Sequence, residues 1–438
     1  MADIRPFRGV RYNEQLVSDL SQVICPPYDI ITPQKAQELY HRSEYNFVRL
    51  EYGRLLPAEI SPEERHTHSL ATLEQWLRLG VLKVDREPAI YLHDHYFTFQ
   101  GKEHRRRGLT VAVRLVAWDK MEIRPHEGIL ARAKGDRLSL LWTLRANTSS
   151  ILALFTDEEG EVASLLSLEA QKPPVISLRS DAEESHYIWA VTEPEVIRQI
   201  GSRLAHQPLY IADGHHRYES ALTYQRERRA YCDVVSGDEE FDFVMMTLVD
   251  FADPGLIILS PHRLVRGLSM ANLNELRAKL ELLFELEELP LGTPGIWQQV
   301  SAWLSGNDTG QVRFVLAGLE PECLVILTLR DPKAVRQMIP YFHGELYSRL
   351  NVSILDHVIL DEMLGMSTSE ETSLGFSYDP EEAVRKVSDQ EYQLAFLLSP
   401  VKAEMVKAIA DHGERMPRKS TYFYPKLPAG LVCRRLDE

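Results

Sequence analysis

"YIADGHHRYESA", residues 210–221, sets an acid, a glycine, two histidines and an arginine where an apolar run meets a helical pattern. Leu209–Ala212 reads as a short buried strand, Asp213-Gly214 as a turn, and Tyr218, Ala221 and Leu222 as the apolar stripe of a helix. Strand, tight turn and helix make an α/β unit, and the unpaired amides and positive dipole end of its helix form a ready anion site. Gly214 lets the backbone approach a ligand with positive φ. His216 and Arg217 add donors there, Arg217 with a two-pronged grip on phosphate oxygens. Asp213 is placed to cap the helix or to hold a magnesium ion that bridges phosphates, and His215 stands beside it as a further candidate catalytic residue. A cap alone does not require two histidines and an arginine in succession, so a phosphate site is the stronger reading. His215 and Glu219 are spaced as a transition-metal pair, but no further ligand follows nearby.

Outward from this motif, strand-like and helix-like stretches alternate throughout, which points to a mixed α/β or α+β fold rather than an all-helical or all-β one. Residues 61–80 start with Ser-Pro-Glu-Glu and carry Leu70, Leu73, Trp76 and Leu77 at helical spacing before Gly80, which predicts a helix. Residues 89–118 alternate around Gln100-Gly101 as a hairpin, with Arg105, Arg106 and Arg107 read as a charged edge that blocks strand pairing. The acidic 156–186 stretch reads as a peripheral insertion or boundary. Helices are expected near 193–205, 271–287, 296–304, 353–365 and 401–413, and strands within 241–264, 311–330 and 394–399. Three regions follow: 1–155, 156–270 around the motif, and 271–438.

Composition narrows the partners. The 438 residues are 44% hydrophobic and carry 64 acidic against 49 basic groups, a formal charge of −15 that opposes a general role on nucleic acid or anionic membranes. The four cysteines, Cys25, Cys232, Cys323 and Cys433, form no C-x-x-C pair, which fits a reducing cytoplasm better than a disulfide framework. In "VICPPYDII" (23–31) the prolines and the aspartate read as a rigid turn with Cys25 packed beneath it. No signal peptide or membrane-length run is present. Oligomeric state is not legible.

Two further constellations bear chemistry. In "IRPHEGILARAKGDRLSLLWTLRANTS" (123–149), Glu127 follows a Pro-His turn as a candidate general base, while Lys134 and Arg137 could hold a second anionic group. His126 and Asn147 are secondary candidates there, as are His262 and Arg263 at a later strand end. In "ERMPRKSTYFYPKL" (414–427), cations beside hydroxyls and aromatics suit a nucleotide, with phosphates on Lys419 and Ser420 and a ring on Tyr422. A Walker P-loop is excluded by the glycine spacing, and no G-x-S-x-G elbow occurs.

"DGHHRYESA" resembles the phosphate-binding motif of the ParB/sulfiredoxin superfamily, in particular its nucleotide-dependent serine kinase branch. His215 stands where sulfiredoxins carry cysteine, which speaks against sulfinic-acid reduction. Over the whole chain, "IRPFRGVRY", "VICPPYDII", "NFVRLEYG", "RPHEGIL", "KGDRLSLL", "ADGHHRYE", "MMTLV" with "HRLV", and "ERMPRKSTYFYPKL" resemble domain-of-unknown-function family 1015. The resemblance implies a ParB/sulfiredoxin-like α/β core around the motif, ATP or ADP and magnesium as cofactors, and a phosphotransferase acting on a small hydroxyl metabolite such as serine. Asp213 would then bind magnesium or orient the hydroxyl, and Gly214, His216 and Arg217 would hold phosphates. A metal-dependent phosphohydrolase using His215, His216 and Asp213, and a nucleotide-sensing protein without turnover, stay open beside it.

Overall fold

The computed structural model describes residues 2–53, 62–128, 131–180, 184–231, 236–305, 311–366 and 372–437, with backbone alone at 62–65 and 131–134. The chain divides into two compact units, Met1–Pro125 with Ile129–Ile257 and Pro425–Glu438, and His126–Gly128 with Ile258–Tyr424. These boundaries differ from the expected 1–155, 156–270 and 271–438. The reason is strand pairing across the expected limits: one sheet takes strands from both sides of residue 155, and Cys433–Arg435 returns to pair with Gly9–Tyr12.

The first unit is built on a nine-stranded sheet. Its strands are β1 (Ile4–Arg5), β2 (Ile90–Phe99), β3 (Lys102–Arg114), β4 (Ile123–Arg124), β5 (Ile151–Phe155), β6 (Ile176–Arg179), β7 (Ser185–Val191), β8 (Leu209–Asp213) and β9 (Phe243–Asp250). Their order is β4-β8-β5-β9-β3-β2-β7-β6, with β1 added on β3. Pairings β8 with β4 and β9 with β5 are parallel and the remainder antiparallel, so the sheet is mixed. The hairpin between β2 and β3 turns at Gln100 (φ 49°) and Gly101 (φ 73°), the two positive φ values that a tight two-residue hairpin needs.

Alternation along the strands sends residues to two cores. Leu92, Val111, Ile151 and Ile211 pack with Tyr218 on one face, and Tyr91, Ala112, Met245 and Leu140 on the other. Its helices include α1 (Pro62–Arg78), α2 (Ala131–Leu144), α3 (Glu161–Glu169), α4 (Pro194–Leu204) and α5 (His215–Ala230), beside the shorter Pro33–Arg42 and Val48–Glu51. The 61–80 and 193–205 expectations are thus met. Two others are corrected. Residues 156–186 supply α3 and β6, so they are integral rather than peripheral. The pairing of β9 with β3 ends at Gly108, and the Asp253–Gly255 turn covers Arg105–Arg107 instead: the Arg107 amide donates to Asp253 at 3.1 Å, Gly255 lies against the Arg105 backbone, Arg106 is fully buried, and Arg107 pairs with Asp94 at 2.6 Å.

The second unit has its own six-stranded sheet, formed by His262–Val265, Phe284–Pro290, Arg313–Ala317, Cys323–Leu329, Leu374–Ser377 and Leu394–Leu398. Helices include Met270–Leu283, capped by Ser269, and Pro380–Ser388, capped by Asp379. The helix expected at 353–365 is wound as a π-helix over Leu355–Met363 and stops at Gly365 with φ 65°. Cys25 and Cys433 are buried free thiols and Cys323 is half-buried; Cys232 lies outside the described residues. Among the described residues no helix is long and apolar enough to cross a membrane.

Candidate functional site

In the first unit, β8 ends in a register shift between Ile211 and Asp213. Such a bulge re-aims a side chain. Asp213 then faces Leu152, which pairs with Thr247 in the next strand, so the carboxylate shares a sheet face with Thr247 and Thr110. Gly214, the residue that opens α5, has φ 95°, and a Cβ built there would lie 2.9 Å from Arg217 Nε. Glycine is required twice over, for the left-handed backbone and for the guanidinium that lies across it. No side chain caps α5, and the start of a helix, with its positive dipole end, is where an anion is favoured.

Asp213 is not that cap. Its Oδ2 accepts from Arg217 Nη2 at 2.8 Å and its Oδ1 from Lys426 Nζ, a residue some two hundred positions later, while Arg217 Nη1 donates to the Ser150 carbonyl at 2.6 Å. Burial alone would raise the Asp213 carboxyl, but Lys426 and Arg217 outweigh it and hold the group well below the usual carboxylate range. Burial likewise opposes the Lys426 charge, and Asp213 and Asp29 reverse that, raising its pKa. Among the described residues, no group accepts from the buried Arg217 Nε. His215 is buried and His216 half-buried in the first turn.

Nearby lies a small cavity of about 30 Å³ lined on its polar side by Arg137, Asn147, Thr148, Ser149 and Arg217. Behind it Glu51 is fully buried: Ser149 Oγ donates to its Oε1 at 2.9 Å, Arg137 Nη1 lies 3.5 Å away, and no described group donates to Oε2. Arg137 is held by Asp136 at 2.5 Å and by the Tyr28 ring, 3.9 Å from the guanidinium carbon. Burial works against charge on Asp136, yet His66 and Arg137 keep its carboxyl below the ordinary range. Sequence reading missed Glu51 and took Lys426 only as one cation of the 414–427 run, because nothing local marks either as a partner of the motif.

Other sequence candidates fall elsewhere. Asn147 Oδ1 accepts from the Met245 amide at 3.0 Å, which makes it a strand fastener. Lys134 lies in α2, and its side chain is outside the described ones. Glu219, the expected metal partner of His215, accepts from Trp118 Nε1 at 2.7 Å. The residues 126–128 and 414–424 belong to the second unit. There Glu127 Oε1 accepts from the Ser420 amide, the Thr421 amide and Thr421 Oγ1 at 2.9–3.0 Å, while buried His126 meets Thr421 Oγ1 at 2.9 Å. One Glu127 oxygen is therefore committed to shaping a loop, which speaks against a free general base. Ser420 is buried, its hydroxyl donating to Pro417 at 2.5 Å, and Tyr422 stacks on Tyr378 with centroids 3.8 Å apart; only Lys419, with φ 57°, is exposed. Arg263 is buried against Asp356 and donates to the Lys419 carbonyl at 2.7 Å, and His262 Nδ1 accepts from the Leu398 amide at 3.2 Å. Both are structural supports rather than ligand groups.

Fold and site together define a mixed α/β protein with an acid–cation cluster at the mouth of a glycine-opened helix. The chain belongs to the family described as "Protein of unknown function (DUF1015)", which matches residues 4–355. The whole-chain resemblance read from the sequence is borne out, although the match stops short of the 414–427 run. Comparison with the curated proteins returns no match. Among solved structures, the chain is similar to a conserved hypothetical protein from Pyrococcus furiosus, at 14% identity and TM-score 0.34, covering 74% of this chain and 93% of that one. It is similar to a free serine kinase variant in complex with ADP, at 14% identity and TM-score 0.35, covering 74% and 92%. It is also similar to SbnI with a C-terminal truncation from Staphylococcus aureus, at 10% identity and TM-score 0.33, covering 73% and 84%.

Proposed function

We propose that this chain is a nucleotide-dependent phosphotransferase that uses a ParB/sulfiredoxin-like core to move a phosphoryl group from ATP or ADP to a small hydroxyl metabolite, serine being the first to try. The observation that carries this reading is the Asp213–Arg217–Lys426 cluster beside the uncapped start of α5. Arg217 and Lys426, balanced by Asp213 and Asp29, stand beside the start of a helix, whose amides and dipole favour a phosphate. The amides of Gly214–His216 and the side chains of His216, Arg217 and Lys426 hold the phosphates.

Magnesium does not fit at Asp213 while both of its oxygens carry a cation, since a divalent ion there would have to displace Lys426 or Arg217. No protein ligand is therefore given to magnesium. In the transfer itself, the acceptor hydroxyl oxygen bonds to phosphorus as the bond to the leaving phosphate breaks, and the hydroxyl proton goes to a carboxylate. Glu51, whose Oε2 has no donor among the described residues and whose Oε1 accepts from Ser149 of the Arg137–Ser149–Arg217 cavity, is the carboxylate we assign to take it.

Phosphorus NMR of the full chain with ATP or ADP, magnesium and a panel of hydroxyl metabolites tests this. A phosphorylated acceptor is expected, and Glu51→Gln is expected to lower kcat about a hundredfold with nucleotide affinity intact. Saturable nucleotide binding without transfer to any acceptor would make the protein a sensor instead.

A further inference from the structure

The same sheet carries a second cluster that the phosphate site does not use. On β2, His93 and His95 are two residues apart and point to one face; on β7, His186 sits directly opposite His95, and Glu184 lies two residues before it on the same side. The rings of His95 and His186 stack at 4.1 Å, and those of His93 and His186 lie 5.2 Å apart. All three histidines are buried, while Glu184 is half-buried at the opening.

We infer that His95, Glu184 and His186 form a binding site for a first-row divalent transition-metal ion of the zinc class. Their ligand atoms all lie within 4.8 Å of one another. Glu184 Oε2 is 2.9 Å from His95 Nε2 and 3.9 Å from His186 Nε2. Zinc–nitrogen and zinc–oxygen bonds of about 2.0–2.1 Å in a tetrahedron separate neighbouring ligand atoms by roughly 3.3 Å, which these distances bracket. Two imidazoles and a carboxylate select zinc or ferrous iron over magnesium or calcium, which prefer all-oxygen shells, and three protein ligands leave a coordination position for water or substrate.

The surroundings match. His186 Nδ1 meets His93 Nε2 at 3.0 Å, so His93 can accept the proton that fixes the His186 ring with Nε2 facing the ion. Arg106 opposes the ion: its Nη2 lies 3.3 Å from His95 Nδ1, the nitrogen that takes the ring proton once Nε2 binds metal. The guanidinium then turns toward Asp253 and Glu184, the carboxylates that already support its charge. His93 also borders a small cavity of about 20 Å³ whose polar lining is Thr110, Ser149, Ser150 and Thr247.

Isothermal titration of the chelator-treated full chain with zinc chloride, and visible spectroscopy with cobalt in its place, decide the matter. One equivalent per chain is expected, with the visible bands of low-coordinate, nitrogen-ligated cobalt. Glu184→Gln, which keeps the side-chain volume, and His186→Ala are each expected to weaken zinc binding at least about tenfold, and replacing exposed His206 by alanine to leave it unchanged. The cobalt spectrum needs no substitution, so it decides even if a variant fails to fold. Absence of saturable binding, or binding that both ligand substitutions leave unchanged, would show that the cluster is only an ion-pair network around Arg106.

Discussion

At Asp213 the first sheet buries full charges, and four strands away at His95 it buries uncharged rings on the same face. The Asp213 end can stay ionised because each carboxylate oxygen meets a cation and the helix dipole lies alongside. At the His95 end three imidazoles share a single half-buried carboxylate and a buried guanidinium, so the cheaper solution there is to leave the rings neutral. The first is the cluster proposed for an anion, and the second is the one proposed for a cation. Between them runs a hydroxyl relay, Thr110 to Thr247 at 2.8 Å and Thr247 to Ser150 at 2.8 Å, ending at the residue whose carbonyl holds Arg217.

The contrast breaks most visibly at Asp213. Replacing it with alanine strands two buried cations, so Asp213→Ala is expected to cost about 3–5 kcal/mol in denaturant unfolding, and Asp213→Leu combined with Lys426→Met to cost clearly less than Asp213→Ala alone. Equal losses would mean the pair is not coupled. Acid acts on the same charge: because the folded-state carboxyl is depressed, its contribution is complete above the unfolded value near 4 and is lost as pH falls through the lower folded value.

Neutral burial acts with the same sign in a higher pH window, and His262 in the second unit isolates it. Burial, with Arg263 adding to it, lowers this histidine to about 4. The unfolded chain takes up the proton near 6.5, so stability is full above that pH and falls as pH drops from about 6.5 to 4, by up to about 3 kcal/mol. Chemical denaturation at pH 7 and pH 5 should show a smaller difference in His262→Asn than in wild type; an unchanged difference would remove His262 from the account.

Gly214→Ala comes next, at roughly 1–3 kcal/mol from positive φ and the Arg217 contact. Its nucleotide affinity should fall with its melting temperature, and a fall in only one of the two would separate fold from site. Thr247→Val, which cuts the relay, is the mildest at about 1 kcal/mol.

These two ends of the sheet were unequally legible. Asp213 through Arg217 are contiguous, and local chemistry alone marked the strand, the glycine and the helix mouth. Asp213 as a metal ligand or cap did not follow, because its partner Lys426 is brought in by a chain segment that returns from the far end of the sequence. Glu51 is invisible for the same reason. His93-x-His95 and Glu184-x-His186 each look like ordinary alternation, and only the register that sets His95 opposite His186 turns them into a cluster. Long-range packing was the missing quantity for Arg106 as well: three arginines in a row look like an edge until the Asp253–Gly255 turn is known to cover them.

The central claim is that the mouth of α5 holds the phosphates of a nucleotide. Titration calorimetry of the full chain with ATP and with ADP, wild type against the His216→Ala/Arg217→Ala double variant, tests it most directly. The account predicts saturable binding in the wild type that weakens at least tenfold, about 1.4 kcal/mol, in the double variant; equal affinity in the two proteins would contradict it.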